Sequence, residues 1–360
     1  MIRYLALLLP GLVFASIEQQ IELQNRVFTD EDTPYVNDAT LLYQAKAYHY
    51  LENDDLLQFN LKAQASSRSD DRDFVDFSEL YWSRMRDQWE LKAGVDTVFW
   101  GKAETVNVVD VINQKNSLGI ENKAKLGRAM LRYSYFLEDG VLDMLYLPDH
   151  QAREFSSGRE ALSVTSNGYE DRDKDSIALR LQQTWSDLDL ALGYFNGIGN
   201  TPRLLVSGAS YQAYYDNVEQ WLFDAQLTTE DTLYKLEYLY DTNNTYQSVA
   251  GVEYLMGELW SVNLLLEHMH SDRAANAYQN DTMLGLRLDL NDEKGSEALL
   301  SWVYDHDHQS NIMSLRGSQR LDNHNKLTLE FKYFDIGQSD SALLLQDSND
   351  QLSIGFTHFF

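Results

Sequence analysis

The chain has 360 residues, 24% of them charged, with no cysteine and a formal charge of −27 at neutral pH. The missing cysteines exclude disulfides, thiolate metal centres and thiol nucleophiles. The acidic surplus leaves no basic face to neutralise phosphates, which excludes nucleic acid as a partner.

At the start, Arg3 followed by the apolar stretch YLALLLPGLVFA reads as a secretory signal over residues 1–16, with cleavage after Ala15 or Ser16. The alternative, a buried N-terminal helix, has Pro10-Gly11 against it. Beyond this stretch no apolar run approaches the ~20 residues of a membrane helix. Four prolines and no linker-like tract predict a single domain over 17–360.

Period-two alternation dominates from there on. Segment 21–28 alternates weakly. In LQFNLKAQA, Leu57, Phe59, Leu61, Ala63 and Ala65 take one face, while Gln58, Asn60, Lys62 and Gln64 take the other. WELKAGVD (from Trp89), IALRLQQTW (from Ile177), MLGLRLDL (from Met283) and KLTLEFKYF (from Lys326) repeat the pattern. Such segments have the ~10-residue length of a tilted membrane-crossing strand. Short connections near 86, 139, 186, 230, 257, 293 and 323 alternate with longer ones, the largest spanning 97–128, 148–175, 196–217 and 336–349. Short periplasmic turns and long outer loops produce this order in a transmembrane barrel. The fold class is therefore all-β, a transmembrane antiparallel β-barrel of about 16–18 strands, with 18 following if 21–28 is the first.

A β-sandwich also alternates, so two further features decide. Trp82, Trp89, Trp185, Trp221, Trp260 and Trp302 fall on the apolar face, several beside short turns, as in an aromatic girdle at headgroup level. The final segment QLSIGFTHFF alternates to its end. Its Ser353-x-Gly355-x-x-His358-x-Phe360 pattern resembles the terminal assembly signal of Gram-negative outer-membrane barrels, with His358 a mild departure. That resemblance implies outer-membrane localisation and handling by the barrel-assembly machinery, with outer-membrane lipid and lipopolysaccharide as surroundings.

Further stretches, ELYW (79–82), VFWGKAETVNVVDVINQKN (98–116) and REFSSGRE (153–160), together with SIGFTHFF, resemble an uncharacterised porin-like family of proteobacterial outer membranes. The resemblance implies the barrel and brings no defined substrate.

The stretch 97–128 also has a physical reading. VNVVDVIN is too apolar for a solvated loop, and folding it into the barrel would hide its apolar side and narrow the pore. Lys102, Glu104, Asp110 and Lys115 would then face wall charges such as Arg180, Arg287 and Arg316, whose opposed fields orient polar solutes. The alternative is a loop packed on the outer rim, with Asp110 and Asn113 capping local turns. Wall charges are nearly balanced, whereas the outer loops are acidic (Asp70, Asp71, Asp73, Glu170, Asp171, Asp173, Asp175, Asp340, Asp347, Asp350), which predicts a mild cation preference, the alternative being acids that only solvate the surface or bind divalent ions shared with lipopolysaccharide.

His268-x-His270 and His306-x-His308 place imidazoles on common faces, yet polar rim residues explain them without a metal. No histidine shares a face with Ser261 or Ser301, so no hydrolytic site is expected. The expected function is passive diffusion of small hydrophilic solutes, without catalysis, cofactor or metal, as a monomer or a homotrimer. A non-conducting barrel serving as adhesin, scaffold or sleeve for a protein partner is the alternative.

Overall fold

The computed structural model describes residues 16–29, 36–68, 72–117, 124–155, 164–170, 173–207, 210–257, 261–273, 276–340, 343, 346–347 and 349–360. The expected signal segment up to Ala15, Trp260 and the second half of REFSSGRE lie outside them.

The strands run in chain order as β1 (Ser16–Phe28), β2 (Asn37–Tyr50), β3 (Leu56–Ser66), β4 (Phe74–Arg86), β5 (Trp89–Asp96), β6 (Arg128–Leu137) and β7 (Gly140–Leu147). After these come β8 (Val164–Tyr169), β9 (Ser176–Trp185), β10 (Leu188–Ile198), β11 (Arg203–Ser207), β12 (Ser210–Tyr215), β13 (Asn217–Thr228) and β14 (Thr232–Asp241). The last are β15 (Thr245–Met256), β16 (Ser261–Ser271), β17 (Asn280–Asp289), β18 (Glu297–Asp305), β19 (Asn311–Arg320), β20 (Asn325–Asp335) and β21 (Gln351–Phe359). Eighteen of them form one antiparallel sheet. The sheet closes because β1 pairs with β2 on one side (Gln20 opposite Gln44) and with β21 on the other (Gln20 opposite Phe359). Among the described residues this 18-stranded sheet therefore has no unpaired edge.

Alternation and closure together dictate an inside and an outside. Leu236 and Tyr238 on β14, Leu264 and Leu266 on β16, Leu284 and Leu286 on β17, and Leu327, Leu329 and Phe331 on β20 are all exposed. Their sequence neighbours Glu237, Leu265 and Glu267 are buried and point inward. In water this belt would be an apolar surface far larger than a soluble protein carries. A closed sheet satisfies every backbone group between its strands, and such an exterior suits hydrocarbon. Trp185, Trp221 and Trp302 stand on it, each well exposed. Trp82 donates through Nε1 to Asp55 Oδ2 at 2.9 Å, with the Arg84 guanidinium over its ring.

The segment weakly marked at 21–28 is part of a 13-residue strand, β1. Three strands lie inside the expected long loops. The short strand β8 pairs in parallel with β12, which pairs antiparallel with β11, to form a separate three-stranded sheet at the long-loop end. At the chain's end, Leu352, Ile354, Phe356 and Phe360 are exposed on the outer face, whereas Ser353, Gly355 and Thr357 face inward.

Candidate functional site

The stretch between β5 and β6 leaves the sheet at Thr97 and crosses the inner wall. Its apolar residues decide the course. Val98, Trp100, Val109 and Ile112 are buried against Met130, Leu145, Leu147, Ala178, Phe195, Val218, Leu222 and Leu239, the inward residues of β6, β7, β9, β10, β13 and β14. Farther round, Ala103 joins Val249, Leu265, Met269, Met283 and Val303 of β15 to β18, with Val106 and Val108 packed on the same cluster. Burying a side chain of this size contributes roughly 1.5–3 kcal/mol, which favours the wall over solvent.

Hydrogen bonds fix the register of the loop on that wall. Glu237 of β14 is fully buried and accepts the backbone N–H of Lys102 at 2.5 Å, of Ala103 at 2.8 Å and of Val109 at 3.5 Å. Glu267 of β16 accepts those of Glu104 at 2.6 Å and Thr105 at 2.8 Å. A buried carboxylate needs several donors to offset its lost hydration, and a loop with unpaired N–H groups supplies them. Gly101 permits the bend between Trp100 and Lys102. Its φ is +128°, and a Cβ there would collide with the Asn107 side chain. At the base of the loop the buried Asn113 ties three strands of chain together. Its Oδ1 accepts Val98 N–H at 2.8 Å, and its Nδ2 donates to Asp96 O and Leu126 O, each at 3.0 Å.

The charged residues marked in the sequence take different positions. Lys102 Nζ lies 3.7 Å from Asp189 Oδ2 on β10. Glu104 Oε2 accepts from Arg287 Nη2 at 2.6 Å, and Arg287 Nη1 reaches Glu253 at 2.7 Å, which also receives Lys235 at 2.9 Å. This Glu104–Arg287–Glu253–Lys235 chain joins the loop to β14, β15 and β17. Arg180 pairs with Asp224 at 2.7 Å and lies over the Trp100 ring, 5.2 Å from its centroid. Asp110 points back into its own loop, taking Lys125 Nζ at 2.5 Å and Trp100 N–H at 3.2 Å. Burial pushes the Asp110 carboxyl up and the Lys125 amine down, and their mutual attraction opposes both shifts. Lys115 bridges backbone to backbone with Lys125. Arg316 on β19 lines a separate cavity with Glu22, Lys326 and Glu330.

Glu237, Glu267 and Asn113 are the residues that hold the loop, and charge pairing alone would not have selected them. Their signal is the company they keep: inward positions of β7 to β17 carry Leu, Phe, Val and Met where a water-lined wall would be polar.

The histidines sit at the long-loop end of β16 to β18. His268 Nδ1 and His306 Nε2 share the Thr282 hydroxyl, at 3.1 and 2.8 Å, and His270 Nε2 meets Tyr246 OH at 3.1 Å. The pairing is therefore across strands and outside the i, i+2 pattern. His308 Nδ1 contacts Asp305 Oδ2 at 2.8 Å, which raises its pKa. Asp305, His308 and Asp340 bring ligand atoms within 4.8 Å of one another. The Ser301 hydroxyl bonds that of Ser314 at 2.7 Å.

No protein-family model matches the chain, and no curated protein matches it in sequence. Solved structures resemble it in fold. OccD3 (OpdP) of Pseudomonas aeruginosa is similar over 98% of this chain and 92% of its own, at 10% identity and a TM-score of 0.57. Wzi of Escherichia coli, described as a carbohydrate-binding β-barrel of the outer membrane involved in group 1 capsule assembly, matches over 95% and 84%, at 10% identity and a TM-score of 0.56. A mutant of the Rhodopseudomonas blastica porin matches over 96% and 99%, at 8% identity and a TM-score of 0.47. At these identities the likeness concerns the fold.

Proposed function

We propose that this chain is an outer-membrane porin-like channel through which small hydrophilic solutes diffuse passively. The observation that carries the reading is an 18-stranded closed barrel with an apolar exterior, whose interior is partly filled by a loop from its own chain. Barrels of 16–18 strands enclose an aqueous lumen. A loop crossing such a lumen leaves a passage between itself and the facing wall. A cavity of about 440 Å³ lies there, lined by Thr97, Val98, Phe99 and Lys125 on the loop side and by Gln44, Lys46, Asn60 and Lys62 on the wall. The loop 97–128 is thus read as the constriction, with the Lys102–Asp189 and Glu104–Arg287 contacts setting its edge. The short-turn end faces the periplasm and the long-loop end the exterior. Residues 1–16 are read as a removed signal, cleaved after Ala15 or Ser16, and the terminal Ser353, Gly355, His358 and Phe360 pattern as an assembly signal. Lipopolysaccharide and a second or third copy would meet the apolar belt.

The acidic outer loops are the basis for a mild cation preference. Four inner-wall acids give it no support, because Glu237 and Glu267 hold loop N–H groups, while Asp224 and Glu253 hold cationic side chains. A second reading is a non-conducting barrel that binds a saccharide or a protein. The extent of wall covered by the loop favours it, as does the fold it shares with the barrel described as carbohydrate-binding. Liposome swelling separates the two. Proteoliposomes should swell in small sugars and stop swelling above a size limit. Folded, heat-modifiable barrel that leaves vesicles impermeable to every sugar would overturn the channel and favour the second reading.

A further inference from the structure

Three buried carboxylates and an imidazole meet at the long-loop end of β17, β18 and β20. Two features of the chain bring them together. Asp281 and Asp305 stand opposite each other in the β17–β18 register, and both are buried on the inner side. The turn after β18 then lies against the segment that follows β20. Gly337 permits this approach, since a Cβ there would collide with the His308 carbonyl. The Gly337 N–H donates to Ser310 Oγ at 3.1 Å, and the Ser310 hydroxyl donates to Asp340 Oδ2 at 2.8 Å. Asp305, His308 and Asp340 thereby hold their ligand atoms within 4.8 Å of one another.

Capping of the local turns accounts for one oxygen of each acid and leaves the other. Asp281 Oδ2 accepts the N–H groups of Gln279 and Asn280, Asp305 Oδ1 those of Asp307 and His308, and Asp340 Oδ1 that of Leu343. Of the second oxygens, Asp305 Oδ2 meets His308 Nδ1 at 2.8 Å and Asp340 Oδ2 meets Ser310. Asp281 Oδ1 has no hydrogen-bond partner among the described residues, although Asp281 is only 1% exposed. No lysine or arginine of the described residues pairs with any of the three acids, so one imidazole is set against three carboxylates. Elsewhere on the inner wall the buried acids are answered: Asp224 by Arg180, Glu253 by Lys235 and Arg287, and Glu237 by loop N–H groups. Buried charge is tolerated where it is paired or where it coordinates a metal.

We propose that Asp305, His308 and Asp340 form a binding site for a first-row divalent cation of the zinc class, with Asp281 the neighbouring carboxylate whose charge the cation also offsets. The donor set selects the metal. Imidazole combined with carboxylates suits zinc and its neighbours, whereas calcium and magnesium take oxygen ligands. A bound cation takes the place of the hydrogen bond between His308 Nδ1 and Asp305 Oδ2 and draws the ligand atoms to roughly 2.0–2.2 Å from itself. It thereby clamps the turn 305–310 to the segment 336–340. His306, two residues before His308, is no part of the site, because its Nε2 meets the Thr282 hydroxyl. The site belongs to the long-loop end of the barrel and stands whether or not the lumen conducts.

The test is calorimetric titration of ZnCl2 into the full chain, folded in detergent and stripped with EDTA beforehand. Wild type should bind zinc saturably. Loss of a mere outer-shell partner costs a metal site roughly tenfold or more in affinity, so His308→Ala and Asp340→Asn should each weaken binding by at least that factor. Both variants should keep the heat-modifiable migration that reports a folded barrel. Joint replacement of His268, His270 and His306 by alanine should leave the affinity as in wild type, which separates this site from the other rim imidazoles. Zinc should slow amide exchange at 337–340 in wild type and leave it unchanged in His308→Ala. Equimolar CaCl2 should not displace the zinc. Folded wild type that binds no zinc, binding that survives both His308→Ala and Asp340→Asn, binding that disappears with His268, His270 and His306, or displacement by calcium would each overturn the site.

Discussion

Replacing Glu237 tests how the loop is held. Its carboxylate accepts three backbone N–H groups, from Lys102, Ala103 and Val109, and the last, at 3.5 Å, is at the limit of a hydrogen bond. The two short bonds are charge-assisted, worth about 1.5–3 kcal/mol each. Glu237→Ala should therefore weaken the local attachment by about 3–6 kcal/mol before water compensates the freed N–H groups. Glu237→Gln keeps the shape and loses the charge, and charge-assisted bonds are roughly twice as strong as neutral ones. It should cost about half as much. Against this stands the burial of Val98, Trp100, Val109 and Ile112, on the order of 6–12 kcal/mol together at roughly 1.5–3 kcal/mol each. The apolar contacts win, and Glu267 still holds Glu104 and Thr105, so the loop stays docked and opens only near 101–103. Amide hydrogen exchange in detergent or nanodiscs reads this directly. Each 1.4 kcal/mol of lost attachment raises local opening about tenfold. Exchange at Lys102 and Ala103 should accelerate strongly in the Ala variant and less in the Gln variant, while Val98, whose N–H is held by Asn113, stays protected. Unchanged protection at Lys102 and Ala103 in Glu237→Ala would refute the reasoning.

Three further expectations follow from the same geometry. Asn113→Ala removes three buried hydrogen bonds at the base of the loop and should destabilise it by about 2–4 kcal/mol; limited proteolysis of residues 97–128 should quicken, and cleavage no faster than in wild type would count against that role. Glu104→Ala and Arg287→Ala should couple weakly, by about 0–1 kcal/mol in a double-mutant cycle, because both side chains are partly exposed; Arg287→Ala should also raise conductance by clearing the loop edge, and a fall in conductance would contradict its placement. The pKa of His308 is raised above the ordinary histidine value of about 6.5, first by its hydrogen bond to Asp305. Its stabilising contribution is therefore complete below the ordinary value and is lost as pH rises through the raised one. Imidazole titration by NMR should show the elevated midpoint in wild type and a return toward the ordinary value in Asp305→Asn, and identical midpoints would exclude the contact.

The barrel was legible because each strand needs an apolar outer face, and that requirement writes period two into 57–65, 177–185 and 326–334. Its start was less so. β1 reads SIEQQIELQNRVF, whose inward side is Glu, Gln and Arg and whose outward side includes Gln and Asn, so the contrast is weak. The strands β8, β11 and β12 escaped notice for a related reason. They belong to no membrane face, and every residue of β11 is exposed. The docked loop was partly visible, since VNVVDVIN is too apolar for a solvent loop. Its partners were not. Alternation assigns Leu145, Phe195, Leu239, Leu265 and Met283 to the polar side as isolated exceptions, and only closure of the barrel gathers them into one surface. Charge matching placed Asp110 opposite wall arginines, whereas the chain's return at Lys125 brings a nearer cation. Arg316 lies in a cavity lined by β19, β20, β21 and β1, a position that depends on closure of the ring and leaves no local mark in the sequence.

The central claim is that water and small solutes pass between the loop and the wall facing it. Single-channel current of the folded protein in a planar bilayer tests it most directly. The account predicts stable unitary steps, smaller than an unobstructed 18-stranded lumen would give, that grow when Glu237 and Glu267 are both replaced by alanine and the loop loosens. A folded, heat-modifiable barrel that inserts and never conducts, in wild type and in the loosened variant alike, would contradict it.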